Sequence, residues 1–267
     1  MTDPKASTPV DPRDSGRYRI SNADPGEDDR LALLEELNDP HTIARLHTLG
    51  VGPGWRCFEV GAGRGSIARW LADAVAPGGH MLAVDLDTRF LDRLVAPGLE
   101  VRRLDVLIDD MPRREFDLVH CRALLMHLEE RDRVLDALVG SLCPGGVILI
   151  EEGDRFTSDA ITSDVLRKVF KIFGSKWTWA RTLPERLTAL GLQDVASEIQ
   201  ANVYQGGSKH ARFFAWSIEN TRSLLVSSGR VTEDEVDQAI AMLDDPSRWV
   251  VPPAALVAAW GRRPADA

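Results

Sequence analysis

Arg56-Cys57-Phe58-Glu59-Val60-Gly61-Ala62-Gly63-Arg64-Gly65-Ser66 decides how the rest of this 267-residue chain is read. The apolar residues Cys57, Phe58 and Val60 predict a buried strand, and three glycines at alternate positions end it. Ile67, Ala68, Trp70, Leu71, Ala74 and Val75 then fall on one face of a helix. Strand, glycine turn and helix together bring backbone N–H groups and a helix N-terminus up to a ligand. Glycine is required where a Cβ would forbid the turn or hold the ligand off the backbone. The spacing is Gly-x-Gly-x-Gly, with an acid two residues before the first glycine. A dinucleotide fingerprint would place glycine at position 66, which is serine here. A purely structural turn is the alternative reading of the three glycines.

A second acid favours the ligand loop. His80 to Asp85 predicts the next parallel strand, and Asp85 lies 26 residues after Glu59. A carboxylate at that tip can accept both hydroxyls of a ribose lying across the strand ends. Capping a helix over Thr88 to Leu94 is its other reading. Further strands are predicted at Leu99 to Leu104, Phe116 to Cys121 and Val147 to Glu151, with a helix over Glu130 to Leu142. This alternation predicts an α/β fold with a doubly wound, mostly parallel sheet. Glu59, Asp85, Asp105 and His120 to Arg122 all fall at carboxyl ends of predicted strands, where such sheets bind ligands.

Composition narrows the function. A net charge of −9 argues against a phosphate-backbone partner, so no nucleic acid is expected. No apolar run approaches the ~20 residues that would cross a bilayer, and no membrane partner is expected. Residues 1–17 are polar and carry Pro4, Pro9 and Pro12, which predicts a disordered tail rather than a targeting segment. Cys57, Cys121 and Cys143 sit in or beside predicted core strands without metal-ligand spacing. They read as reduced thiols of a cytoplasmic protein that uses no metal.

The ordered series Glu59-x-Gly61-x-Gly63-x-Gly65, Val84-Asp85-Leu86-Asp87, Leu104-Asp105-Val106, Phe116-Asp117-Leu118-Val119 and Pro144-Gly145-Gly146 resembles the class I S-adenosylmethionine-dependent methyltransferases. Small-molecule members, of natural-product or quinone-biosynthesis type, are the nearest likeness. The resemblance covers roughly residues 18 to 155. It implies a seven-stranded Rossmann-like sheet, with S-adenosyl-L-methionine as cofactor and Glu59, Gly61, Ala62 and Gly63 at its amino-acid end. It also implies that Asp85 holds the ribose, that Leu86 packs on the adenine, and that Asp105 and Val106 read the adenine edge. His120, Cys121 and Arg122 would also contact the cofactor.

Around that core, residues 18–50 predict a helical cap, residues 51–153 the cofactor-binding core, and residues 154–267 the rest of the sheet. In the cap, one helix is predicted over Asp29 to Leu37 and another after a break at Asn38-Asp39-Pro40, with Pro40 at its first position. Beyond the core, helices are predicted over Ser163 to Phe173 and Pro184 to Leu190, and a sixth strand over Ala196 to Tyr204. Helices over Ala211 to Leu225 and Thr232 to Leu243 form a lid of about 208–250, the second opened by a Thr232-x-x-Glu235 capping box. Ala254 to Trp260 predicts an antiparallel seventh strand. Methyl transfer needs alignment more than covalent help from the protein, so a base is required only for a hydroxyl or protonated amine. His127 is the candidate base, with capping or packing as the other reading. Candidates for the acceptor pocket are Tyr18, Asn22, Arg30, Glu152, Trp177, Trp179, Phe213 and Trp216, with Phe214 and Glu151 beside them. The expected activity is O-, N- or C-methylation of a small organic acceptor in secondary metabolism, by a monomer or homodimer. A non-methylating cyclase or cofactor-binding regulator on the same fold, and a nicotinamide-dependent oxidoreductase, are the alternatives.

Overall fold

A computed structural model describes residues 26–155, 163–173, 178–251 and 254–265. The elements follow the hydrophobic periods of the sequence. Helix α1 (Glu27–Thr48) precedes β1 (Arg56–Val60), α2 (Ser66–Ala74), β2 (His80–Asp85), β3 (Leu99–Arg103) and β4 (Phe116–Arg122). Then come α3 (Arg131–Gly140), β5 (Leu142–Arg155), α4 (Asp164–Phe173), α5 (Leu183–Ala189) and β6 (Gln193–Gln200). The chain continues through β7 (Tyr204–Gln205), α6 (Lys209–Asn220), α7 (Arg222–Ser227), α8 (Glu233–Asp244), β8 (Trp249–Val250) and β9 (Ala254–Arg262).

Seven strands form the main sheet in the order β3-β2-β1-β4-β5-β9-β6, with β9 antiparallel to both its neighbours. The order reverses between β1 and β4, whose parallel registers run Glu59 to His120 and Val60 to Cys121. A crevice outside the carboxyl ends opens at such a switch point. Both faces of the central strands are buried. Leu46, Cys57, Leu71, Leu118 and Leu149 pack on the side of α1 and α2; Phe58, Val119, Cys121, Leu138 and Ile150 pack on the side of α3 and α5. A third core gathers Val169, Phe170, Tyr204, Ala215, Ile218 and Leu243, and welds α4 to the helices inserted between β6 and β9. Among the described residues, no helix is long and apolar enough to cross a membrane.

Four sequence expectations are corrected here. The break at Asn38-Asp39-Pro40 does not occur: α1 runs through Pro40 as one helix of 22 residues. Proline there removes a hydrogen bond to Glu36, but Glu36 and Pro40 are both exposed, where water can take the bond's place. Ion pairs on both sides of the proline, described below, hold the helix together. The predicted sixth strand ends at Gln200, and Tyr204 pairs instead with Val250 in a separate two-stranded sheet. The predicted helix over Ala211 to Leu225 divides at Thr221, whose hydroxyl bonds back to the carbonyls of Ser217 and Ile218. The stretch Thr88 to Leu94 yields only a short 3-10 turn, Leu91–Arg93.

Candidate active site

The glycine turn is built as much by what it excludes as by what it bonds. Gly61, Gly63 and Gly65 all have positive φ. A Cβ on Gly65 would stand 2.4 Å from Leu94 Cδ1 and 2.7 Å from Leu91 Cδ2, so this glycine serves packing. A Cβ on Gly63 would meet no atom of the described residues within 4 Å, so among them the space above the loop is open to a ligand. The donors of the loop are already engaged. The N–H groups of Gly61 and Ala62 donate to Val84 O, and that of Gly63 donates to Asp85 Oδ2 at 2.9 Å. Even the first turn of α2 is met from outside, since Ser66 N–H donates to Glu35 of α1 at 3.3 Å.

Asp85 ends β2 half-buried, with Oδ1 accepting from Asp87 N–H at 3.1 Å. Burial raises its pKa to about 6, against the two N–H bonds that favour its charge. Asp105 lies two residues past β3 and caps its own turn by accepting from Leu107 N–H at 2.9 Å. Val106 is half-buried against the core and Leu86 is half-buried beside Asp85.

Alternation along β1, β4 and β5 sorts the remaining groups by face. Glu59, His120 and Glu151 share the α1 side. Glu59 is 5% exposed, and its Oε1 lies 3.1 Å from His120 Nδ1. Its other oxygen, Oε2, is buried without a hydrogen-bond partner among the described residues. Glu151 Oε2 lies 3.2 Å from His120 Nε2 and accepts from Thr42 Oγ1 at 2.7 Å, and Arg45 Nη1 donates to its Oε1 at 2.6 Å. Burial alone would lower the pKa of His120. Its hydrogen bonds to Glu151 and Glu59, with their charges, outweigh that and raise it. The same imidazolium, helped by Arg122 and Thr42, overcomes burial at Glu151 and holds that carboxyl low.

Cys121 and Glu152 face the opposite side. Glu152 is fully buried and accepts three backbone N–H bonds, from Leu124 at 3.1 Å, Leu125 at 2.8 Å and Met126 at 3.0 Å. Burial nevertheless raises its pKa to about 7. These bonds shape the turn Leu125–His127, which follows Ala123 at φ 55°, a backbone state that costs a non-glycine residue about 1–2 kcal/mol. Leu124 in turn lies 3.0 Å from where a Gly61 Cβ would stand, so the turn carrying half-buried His127 leans on the glycine loop.

Several site expectations therefore change. His120 and Cys121 are wholly buried and present no surface to a ligand; His120 instead links two acids. Arg122 is committed to α1, donating to Thr42 Oγ1 at 2.9 Å and to Asp39 at 2.7 Å. Glu152 orders a turn rather than facing an acceptor. Arg30, 6% exposed, forms a two-pronged pair with fully buried Glu27 at 2.7 and 2.6 Å and stacks over the Phe213 ring at 5.6 Å. It fastens α1 to α6, where Asn220 also donates to Glu27 at 3.3 Å. Trp179 is core, with its indole N–H on Asp132 at 2.9 Å and Arg131 and Arg186 against its ring. Phe213 and Trp216 are half-exposed on α6. Tyr18, Asn22 and Trp177 lie outside the described residues. Sequence reasoning missed the anchoring role of Thr42 and Arg45. Their spacing with Leu46 and Leu49 places both on the apolar stripe of α1, and a buried arginine there was the available signal.

Comparison with known proteins agrees with this geometry. Residues 58–148 match the model of a methyltransferase domain. The ubiquinone/menaquinone biosynthesis C-methyltransferase UbiE of Bordetella parapertussis is 30% identical over 124 residues, which are 43% of this chain and 48% of that protein. The chain thus spans about half the length of the curated relatives it matches. Among solved structures, a phosphoethanolamine N-methyltransferase 2 of Haemonchus contortus in complex with S-adenosyl-L-methionine superposes with a TM-score of 0.51 at 17% identity, covering 89% of this chain and 52% of that one. The [4+2]-cyclase SpnF superposes with a TM-score of 0.52 at 17% identity, covering 85% and 81%. Residues 58–148 are thus similar to a methyltransferase domain, and the seven-stranded sheet around them has the fold of the class I S-adenosylmethionine-dependent methyltransferases.

Proposed function

We propose that this chain transfers the methyl group of S-adenosyl-L-methionine to a small organic acceptor. The observation that carries the reading is the unpartnered, buried Oε2 of Glu59 beside the open space over Gly63, with Asp85 at the next strand tip. A buried acceptor left without a donor is costly unless a ligand completes it, and the ammonium of an amino acid suits it. When bound, the cofactor supplies an electrophilic methyl on a positively charged sulfur.

The chain's own residues bind and orient. Glu59 and the Gly61-Ala62-Gly63 loop hold the amino-acid end, Asp85 accepts the ribose hydroxyls, and Leu86, Asp105 and Val106 enclose the adenine. His127 takes a proton from a hydroxyl or ammonium acceptor, held in place by the turn that Glu152 orders. The half-exposed rings of Phe213 and Trp216 are the acceptor wall offered by the described lid. Net charge of −9 supports a small acceptor over a nucleic acid, and the reduced, unpaired cysteines fit the cytoplasm.

Calorimetric titration with S-adenosylmethionine and S-adenosylhomocysteine tests the cofactor, and transfer of labelled methyl to candidate acceptors tests the reaction. Absence of heat with both ligands would refute the cofactor assignment. Tight binding with persistent failure to transfer would favour the non-methylating reading.

A further inference from the structure

Glu59 can hold a ligand ammonium only if its carboxylate stays charged and turned to keep Oε2 unspent. Nothing on β1 itself does this. The nearest group is the His120 ring, whose two nitrogens lie 3.1 Å from Glu59 Oε1 and 3.2 Å from Glu151 Oε2. A neutral ring carries one N–H and could donate to only one of these carboxylates. The other carboxylate would then face the lone pair of a bare nitrogen across 3.1 or 3.2 Å, a repulsive contact between buried groups. Two carboxylates on one ring therefore call for an imidazolium that donates to both.

We infer that His120 is a positioning residue: as an imidazolium clamped between Glu59 and Glu151, it fixes the free oxygen of Glu59 toward the amino-acid end of the cofactor. This rests on the cofactor reading above and adds to it how that acid is prepared. The groups facing the clamp come from every element around it. Glu59 is on β1, Glu151 on β5, Arg122 on β4 itself, and Thr42 and Arg45 on α1, with Asp39 and Glu198 pairing Arg122 and Arg45 in turn. Arg45 and Thr42 satisfy Glu151, so the clamp is complete only with α1 seated on the sheet. His120 is 0% exposed, so it acts on the ligand only through Glu59.

S-adenosylhomocysteine and 5′-methylthioadenosine separate this role from general damage, because only the first carries the amino acid that Glu59 would hold. His120→Gln and Glu59→Gln are expected to weaken S-adenosylhomocysteine at least tenfold and to leave 5′-methylthioadenosine within twofold. Equal losses for both ligands, or no loss for either, would overturn the inference. The wild-type protein gives an independent reading. With 15N-labelled histidine, assigned through bonds to the backbone, both ring nitrogens of residue 120 should be protonated at pH 7.5. One bare ring nitrogen would overturn the clamp even if the variants misfold. Wild-type protein that binds neither ligand would refute the cofactor reading instead, and the ring resonances would still decide whether the clamp exists.

Discussion

Two glycines two residues apart should fail in opposite ways. At Gly63, φ is +57° and a new Cβ meets no atom of the described residues within 4 Å. An alanine there bears about 1–2 kcal/mol for the left-handed backbone and regains about 0.4–1 kcal/mol from a less mobile unfolded chain. The net loss is about 1 kcal/mol, or roughly 2–4 °C in melting temperature for a chain of this size. At Gly65, φ is +81° and the Cβ falls 2.4 and 2.7 Å from two leucine methyls, one of them on fully buried Leu91. Overpacking adds about 1–3 kcal/mol to the same strain. Thermal melts with calorimetric titration of S-adenosylhomocysteine distinguish the two. Gly63→Ala should melt close to wild type yet bind at least tenfold more weakly, a loss of about 1.4 kcal/mol, because its methyl occupies the ligand's space. Gly65→Ala should melt markedly lower but, where folded, bind within a few-fold of wild type. A folded Gly63→Ala protein with wild-type affinity would refute the ligand loop and leave a structural turn.

Asp85→Ala should weaken S-adenosylhomocysteine by about 10–100-fold, since hydrogen bonds to a charged group are worth about 1.5–3 kcal/mol. Asp85 ionises only above about 6, so wild-type affinity should fall as pH drops through that value, and the variant should lack this limb. Arg30→Met should strand the buried Glu27 carboxylate and cost about 3–5 kcal/mol of stability; an unchanged melt with a selective loss of acceptor binding would restore Arg30 to the pocket. Glu152, raised to about 7 from an ordinary 4.5, binds more protons folded than unfolded between those values, so its contribution to stability is lost as pH rises through them. Glu152→Gln lacks that slope, and should gain roughly 2–3 kcal/mol relative to wild type between pH 5 and 8 in denaturant unfolding. A pH-independent difference would sink the assignment.

The sheet was legible because its signals are local. Alternating apolar runs, the glycines after β1 and Pro144-Gly145-Gly146 inside the paired length of β5 each depend on neighbours in sequence. Pairing was not legible. His80 to Asp85 and Phe116 to Cys121 were readable as strands, but nothing in either stretch says that His120 faces Glu59 while Cys121 faces Glu152. That follows from register, which places residues 61 and 31 positions apart on one face. Charged residues at strand tips therefore read alike as ligand contacts, although Glu59 and His120 meet each other and Arg122 meets α1. The same limit explains α1. Pro40 is a sound local stop signal, and contacts distant in sequence override it, among them those of Thr42 and Arg45 to Glu151.

Those distant contacts give α1 a role that neither its sequence nor its position alone would assign. Its first turn is fastened to α6 by the buried Glu27–Arg30 pair and Asn220, and Lys209 adds an exposed pair to Glu36. Its middle meets the glycine turn, where Glu35 accepts from Ser66 N–H and, with Asp28, pairs with Arg64. Its last turns hold Glu151 and reach Glu198 on β6. One helix thus touches α6, the glycine turn and the acid on the far side of His120 from Glu59. Exposed pairs such as Lys209–Glu36 add little to stability. The buried ones are costly to break singly, because each leaves an uncompensated charge in the interior.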